Sequence, residues 1–179
     1  MNEDGRVTLR RLDAAEAEAA LPALGAILVD AVANGASVNF LAGFAQAEGE
    51  AFWRGQLPLI AEGKRILIVA TRDGAIAGTV VITFAPQPNQ PHRADVGKML
   101  VHSAARRQGI GRALLEAAET AALDAGKTLL VLDTETDSAG HRLYAACGWT
   151  EVGTIPGYAL STDGRPKGAT IFYKMIGRH

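Results

Sequence analysis

The stretch "ADVGKMLVHSAARRQGIGRALLEAAETAAL", residues 94–123, constrains this chain more than any other. It reads as a strand over 94–101, a glycine turn and then a helix, in immediate succession. From Gly109 the pattern is helical: Ile110, Ala113, Leu114, Ala117 and Ala121 recur at spacings of three and four, with Arg112, Glu116 and Glu119 outside that stripe. Gly109 and Gly111 remove side chains where a backbone can approach an anion closely. Successive N–H groups from about Arg107 to Arg112 can converge on a phosphate, with the helix dipole favouring its charge.

Three ligands exploit such a turn: a dinucleotide, a nucleoside triphosphate, or the pyrophosphate of coenzyme A. The dinucleotide fingerprint needs a third glycine where Leu114 stands. The triphosphate loop needs Gly-Lys-Ser/Thr preceded by a glycine five positions earlier. "GKT" occurs at 126–128, but position 121 is alanine and the segment runs from helix into strand, the reverse of the required order. What remains is Arg-x-x-Gly-x-Gly, from Arg106 to Gly111. Taken alone, an ordinary strand-to-helix turn with solvated arginines would read the same way.

Composition narrows the partners. A length of 179 residues suits one domain spanning 1–179, with a substantial core. A formal net charge of −1 is not the basic balance of a nucleic-acid binder. Cys147 is the only cysteine, so no disulfide forms within the chain, and four scattered histidines give no zinc-ligand spacing; no metal is expected. The polar start "MNEDGRVTLRRLD" is not a secretory signal, and the apolar run near it is too short to span a bilayer. No membrane partner and a cytoplasmic location are therefore the expectation.

Elsewhere, "VTLRRL" (7–12) reads as a first strand. Asp13 with Glu16 makes a capping box, and Pro22 opens a second helix whose face is Leu24, Ile27, Leu28 and Ala31, stopped by Asn34-Gly35. Residues 37–44 read as a loop, and 46–57 as a helix carrying Phe52 and Trp53. Two β-branched runs flank Asp73-Gly74 in 65–84, a hairpin signal. Residues 128–135 read as a buried strand and 138–147 as a helix closed by Gly148. "TEVGTI" and "TIFYKM" supply two final strands, giving a mixed α/β domain.

Over residues 65 to the end, the sequence resembles the GNAT superfamily of acetyl-CoA-dependent N-acetyltransferases. The likeness lies in "KMLVHSAARRQGIGRALL" (98–115), "LLVLDTE" (129–135) and "HRLYAACGWTEVG" (141–153). The tail "GYALSTDGRPKGATIFYK" looks like the branch that includes the tabtoxin-resistance acetyltransferase. Ser103 departs from a frequent proline and Arg107 from a frequent glycine, which loosens the loop geometry that the resemblance implies.

The resemblance implies a mostly antiparallel sheet with a splayed central parallel strand pair, 94–101 and 128–135, and flanking helices. Coenzyme A's pantetheine arm would lie in the gap. It would pair with backbone groups of Met99, Leu100 and Val101, while Arg106, Arg107, Gln108, Gly109, Ile110, Gly111 and Arg112 hold the pyrophosphate. A backbone N–H near Met99 or Leu100 would polarise the thioester carbonyl. Tyr144 is the candidate acid for the departing thiolate, since a phenol with a pKa of about 10 stays protonated at neutral pH; at this position it is otherwise a core residue. His141 shares its face and either touches the cofactor or stays on the surface.

Asp133 and Glu135 alternate to one side of their strand. Asp133, expected to be the more buried, is the first choice of base or ammonium-attracting group; as a plain acceptor for loop N–H groups it reads equally well. Asp95 is a weaker alternative. The acceptor pocket would draw on 34–44 and 156–165, with Phe40, Trp53 and Tyr158 as aromatic walls, although Trp53 beside Phe52 reads better as packing. Cys147 beside Gly148 reads as packing, so transfer is expected to be direct, without an acyl-enzyme. The expected activity is acetyl transfer from acetyl-CoA to a primary amine of a small, amino-acid-like molecule, in a homodimer. The rivals are acetylation of a protein N-terminus or lysine, a non-catalytic acyl-CoA sensor, and a nucleotide-binding protein.

Overall fold

The computed structural model describes residues 6–36 and 38–177, so the first residues of the polar N-terminus and Ser37 of the predicted loop lie outside the described residues. The chain runs β1 (Val7–Leu12), α1 (Ala14–Ala19), α2 (Leu21–Ala33), α3 (Gln46–Arg54), α4 (Leu57–Ala61), β2 (Arg65–Arg72), β3 (Ala75–Phe84) and β4 (Arg93–Val101). There follow a 3₁₀ turn (Ser103–Ala105), α5 (Ile110–Asp124), β5 (Leu129–Glu135), α6 (Ala139–Ala146), β6 (Thr150–Leu160) and β7 (Pro166–Met175). The strands form one sheet in the order β1-β2-β3-β4-β5-β7-β6, antiparallel except for the β4–β5 pair. This is the mixed GNAT-type architecture that the sequence resemblance implies.

Local chemistry explains the boundaries. Asp13 accepts from the Glu16 N–H at 2.8 Å while Glu16 returns to the Asp13 N–H at 3.0 Å, closing the capping box. Asp73 and Gly74 at φ 50° and 79° form a tight turn with left-handed conformations at both central positions, which suits the right-handed twist of the β2–β3 hairpin. The predicted helix over 46–57 is two helices, because α3 caps at Gly55 and Pro58 restarts the chain as α4.

Alternation along the strands sends side chains to two cores. On one face Ile66, Val80, Ile82, Val96, Leu130 and Phe172 pack beneath α5 and α6. On the other, Leu67, Val69, Val81 and Leu100 pack against α1–α4. The buried spine of α5 is Ile110, Leu114, Leu115, Ala118 and Ala122. That is a rotation from the stripe through Ala113, Ala117 and Ala121, since the larger Leu115 takes the sheet side and those alanines are left at its margin.

The two faces are covered unequally. The helices α1–α4 lie over the β1–β4 half, and among the described residues no helix packs on the same face of β5, β7 and β6. Asp133 and the exposed Tyr173 and Met175 stand on that open floor. The N–H of Ala42, in the α2–α3 loop, donates to the Thr162 carbonyl in the β6–β7 turn at 2.9 Å. The two segments expected to form the acceptor pocket therefore meet, as an arch joining the two loops.

Candidate active site

The site begins where β4 and β5 part. Their parallel ladder holds only three pairs, Arg93↔Leu129, Ala94↔Leu130 and Asp95↔Val131. Beyond them β4 keeps pairing with β3 on one edge while its other edge, through Val96–Val101, meets no strand among the described residues. A bulge lies in this free stretch. The β3–β4 register jumps between Val81↔Gly97 and Thr79↔Leu100, and Lys98 takes φ 46°. The buried Thr79 fixes it, its hydroxyl donating to the Lys98 carbonyl at 2.8 Å. Met99 and Val101 pack toward the α5 core and Leu100 toward α2, so these three offer the gap backbone rather than side chains.

At the end of the gap stands the glycine turn. Arg107 and Gly109 both take left-handed conformations, φ 62° and 79°. Among the described residues, no acceptor receives the N–H groups of residues 107–112; the first helix bond is Ala113 to the Gly109 carbonyl at 3.0 Å. These donors, at the N-terminus of α5 with the exposed Arg106, Arg107 and Arg112 around them, fit a pyrophosphate. The two glycines serve different ends. A Cβ at Gly109 would meet no protein atom within 4 Å, and its positive φ favours glycine; a Cβ at Gly111 would lie 3.2 Å from Leu143 Cδ2, so this glycine lets α6 approach closely. Gln108 accepts from Arg72 at the end of β2.

Ser103 does not loosen the loop. Its N–H and hydroxyl donate to Asp30 of α2 at 2.8 and 2.6 Å. Burial alone would raise the Asp30 carboxyl, but these two bonds, with His102 and Arg106 nearby, outweigh it and hold the group below its ordinary value.

Two residues approach the gap from opposite faces. Tyr144 rises from α6 and is buried beside Trp149 and Phe172, with ring centroids at 5.8 and 6.0 Å. Its hydroxyl bonds to no other described residue. Burial first, then the Asp133 carboxylate and Cys147, push the phenol well above its usual range. Asp133 comes from the open face and is exposed, correcting the expectation that it is the buried carboxylate; no helix covers β5 there. Glu135 is the more enclosed, 3.7 Å from Lys167. Asp95 is bound to Arg93 at 2.7 Å. His141 Nδ1 accepts from the Asp137 N–H at 3.2 Å, its Nε2 lies 3.5 Å from Glu151 on β6, and its ring meets Phe172 edge-on, so the side chain is held within the protein.

Of the aromatic residues expected as acceptor walls, Phe40 and Trp53 both pack on Phe52. Phe40 packs on Phe44 and Phe52 at 4.1 and 5.5 Å. Trp53 is buried and donates to the Leu24 carbonyl at 2.9 Å. Tyr158 lies half exposed on a bulge of β6, where the register jumps between Ile155 and Ala159.

A cavity of about 270 Å³ opens beside the β4 bulge, and Lys98 and Arg65 line it with Phe52 and Trp53. Sequence reasoning passed over both cations. The signal was a lysine beside Gly97 in the middle of a strand whose Ala94, Val96 and Leu100 are buried. Among the described residues there is no group of three or more His, Cys, Asp or Glu placed to hold a metal, and no helix long and apolar enough to cross a membrane.

Residues 29–149 match the Acetyltransferase (GNAT) family. The chain is 33% identical over 100 residues to an aminoglycoside N(6')-acetyltransferase type 1 from Klebsiella aerogenes, an alignment spanning 54% of this chain and 66% of that protein's length. Among solved structures, yncA from Salmonella typhimurium, determined with its cofactor acetyl-CoA, superposes with a TM-score of 0.78 at 20% identity, covering 97% of this chain and 96% of that one. The ribosomal-protein-alanine N-acetyltransferase from Brucella melitensis superposes with a TM-score of 0.77 at 27% identity, over 94% of this chain and 99% of its own. The parted strands, the uncapped turn and the family match agree: the chain belongs to the acetyltransferase (GNAT) family.

Proposed function

We propose that the chain transfers an acetyl group from acetyl-CoA directly to the primary amine of a small molecule. The observation that carries this reading is a free strand edge leading into a run of unpartnered N–H groups at one gap, with Tyr144 buried on the helix that follows β5. Acetyl-CoA supplies the activated acyl group as a thioester. The turn from Arg106 to Arg112 would hold its pyrophosphate, and the free edge of Met99–Val101 its amide-bearing arm.

The chain's own residues then divide the proton work. Asp133 attracts the acceptor's ammonium and passes its proton to water. A backbone N–H at Met99 or Leu100 stabilises charge developing on the carbonyl oxygen. Tyr144, kept protonated by its burial, donates to the leaving sulfur. Cys147 takes no part; it lies at the C-cap of α6, where its carbonyl accepts from Lys174 at 3.0 Å. The resemblance of the tail to the tabtoxin-resistance branch, and the Klebsiella relative's activity on a small amine-bearing molecule, support a small acceptor.

A second reading, acetylation of a protein N-terminus, is favoured by the likeness to the Brucella enzyme. A screen of amines and peptides following thiol release from acetyl-CoA decides between them. Turnover on small amines with none on alanine-terminated peptides is the expected result. The reverse pattern would establish the second reading, and tight acetyl-CoA binding with no turnover would make the chain a sensor.

A further inference from the structure

We propose that the acceptor is an amine that carries its own oxyanion, such as a carboxylate, and that Arg65 and Lys98 bind that group in the cavity beside the β4 bulge. The inference rests on the transferase reading above and names the substrate class of that site.

The cavity wall holds two cations and no acid. Among the described residues neither cation has a carboxylate within 4.0 Å, although both are half-buried. Arg65 comes from the start of β2, where Nε donates to the Thr83 hydroxyl at 3.0 Å and leaves the two terminal nitrogens of its fork uncommitted. Lys98 comes from the bulge, with Nζ 5.1 Å from the centre of the Phe52 ring. Burial lowers the pKa of each, and for Lys98 the charge of Arg65 lowers it further while Asp133 opposes the change. Two like charges sharing a partly dry cavity repel. An anion placed between them relieves both that repulsion and the cost of their burial.

The rest of the wall suits the same guest. The amides of Asn39 and Gln56 add neutral donors, and Arg65 presents the planar fork that takes a carboxylate through two bonds. About 270 Å³ admits a compact metabolite. Asp133, close enough to act on Lys98, stands on the other side of the parted strands. The site is thus polarised, with cations in the cavity and a carboxylate at the gap, which matches a dipolar amino acid whose ammonium points at the reacting centre. A polycation such as an aminoglycoside would press its ammonium groups on Arg65 and Lys98. The chain therefore differs in substrate class from the activity named for its Klebsiella relative.

The test uses the full chain and pairs of probes. Standard α-amino acids and short ω-amino acids are compared with the corresponding amines lacking the carboxylate, and with kanamycin, by thiol release from acetyl-CoA. The best acid should exceed its paired neutral amine in kcat/KM by about ten- to hundredfold, the worth of one or two charge-assisted bonds. In Arg65→Gln and in Lys98→Met the ratio of acid to neutral amine should fall toward one, chiefly through KM for the acid. Calorimetric binding of coenzyme A identifies variants that retain the fold. If neutral amines or kanamycin run as fast as the acids, the oxyanion inference fails and the transferase reading stands. If the ratio is unchanged in both variants, the assignment of Arg65 and Lys98 fails. No thiol release with any amine would remove both readings.

Discussion

Tyr144, on α6, lies close enough to Asp133 of β5 for the carboxylate to act on its phenol. The phenol is enclosed by Trp149 and Phe172, and burial, the Asp133 carboxylate and Cys147 all favour its protonated form. A group whose pKa is raised keeps its proton as pH rises, so Tyr144 remains a donor through the range in which acceptor amines lose theirs. Tyr144→Phe should lower kcat by about a hundredfold, the scale of one general acid, with little change in KM for acetyl-CoA. The wild-type rate should climb with pH and show no descending limb below about pH 10. A Tyr144→Phe variant with wild-type kcat would remove the tyrosine from the mechanism. Cys147→Ala should leave turnover intact.

At the scale of the element, the glycine turn separates two physical demands that look identical in a sequence. Gly109 is needed for its positive φ, and Gly111 for the side chain of α6 lying against it. Gly109→Ala should therefore cost about 1–2 kcal/mol through backbone strain alone. Gly111→Ala should cost less than about 1 kcal/mol, and Leu143→Ala should relieve that cost at 111 but not the cost at 109. Thermal unfolding of the three single variants and the two doubles checks it.

The same turn shows what a sequence can carry. Its local signals were legible: the hairpin at Asp73-Gly74, the capping box at Asp13, and the order of strand, turn and helix. Those features depend on residues a few positions apart. The exposure of Asp133 was not legible, because it depends on how far α1–α4 extend across the sheet. Nor was the pairing of Arg65 with Lys98 in one cavity, which is set by the β2–β3–β4 register and the bulge. The tie between Ser103 and Asp30 likewise joins positions distant in the chain.

Across the whole molecule, the sheet divides the work between its faces. The phosphate turn opens α5 on one face, while the cavity with Arg65 and Lys98 lies on the other, toward α3. The arch closed by the Ala42–Thr162 bond stands on the cavity side only. On the proposed reading, donor and acceptor would reach the gap by separate entrances, and neither would have to leave before the other arrives. Initial rates measured at several fixed concentrations of each should give double-reciprocal lines that intersect; parallel lines would mean the acetyl group first rests on the protein. Among the described residues one backbone hydrogen bond, Ala42 to Thr162, ties these two distant loops together, so a change in either loop that breaks it would free both.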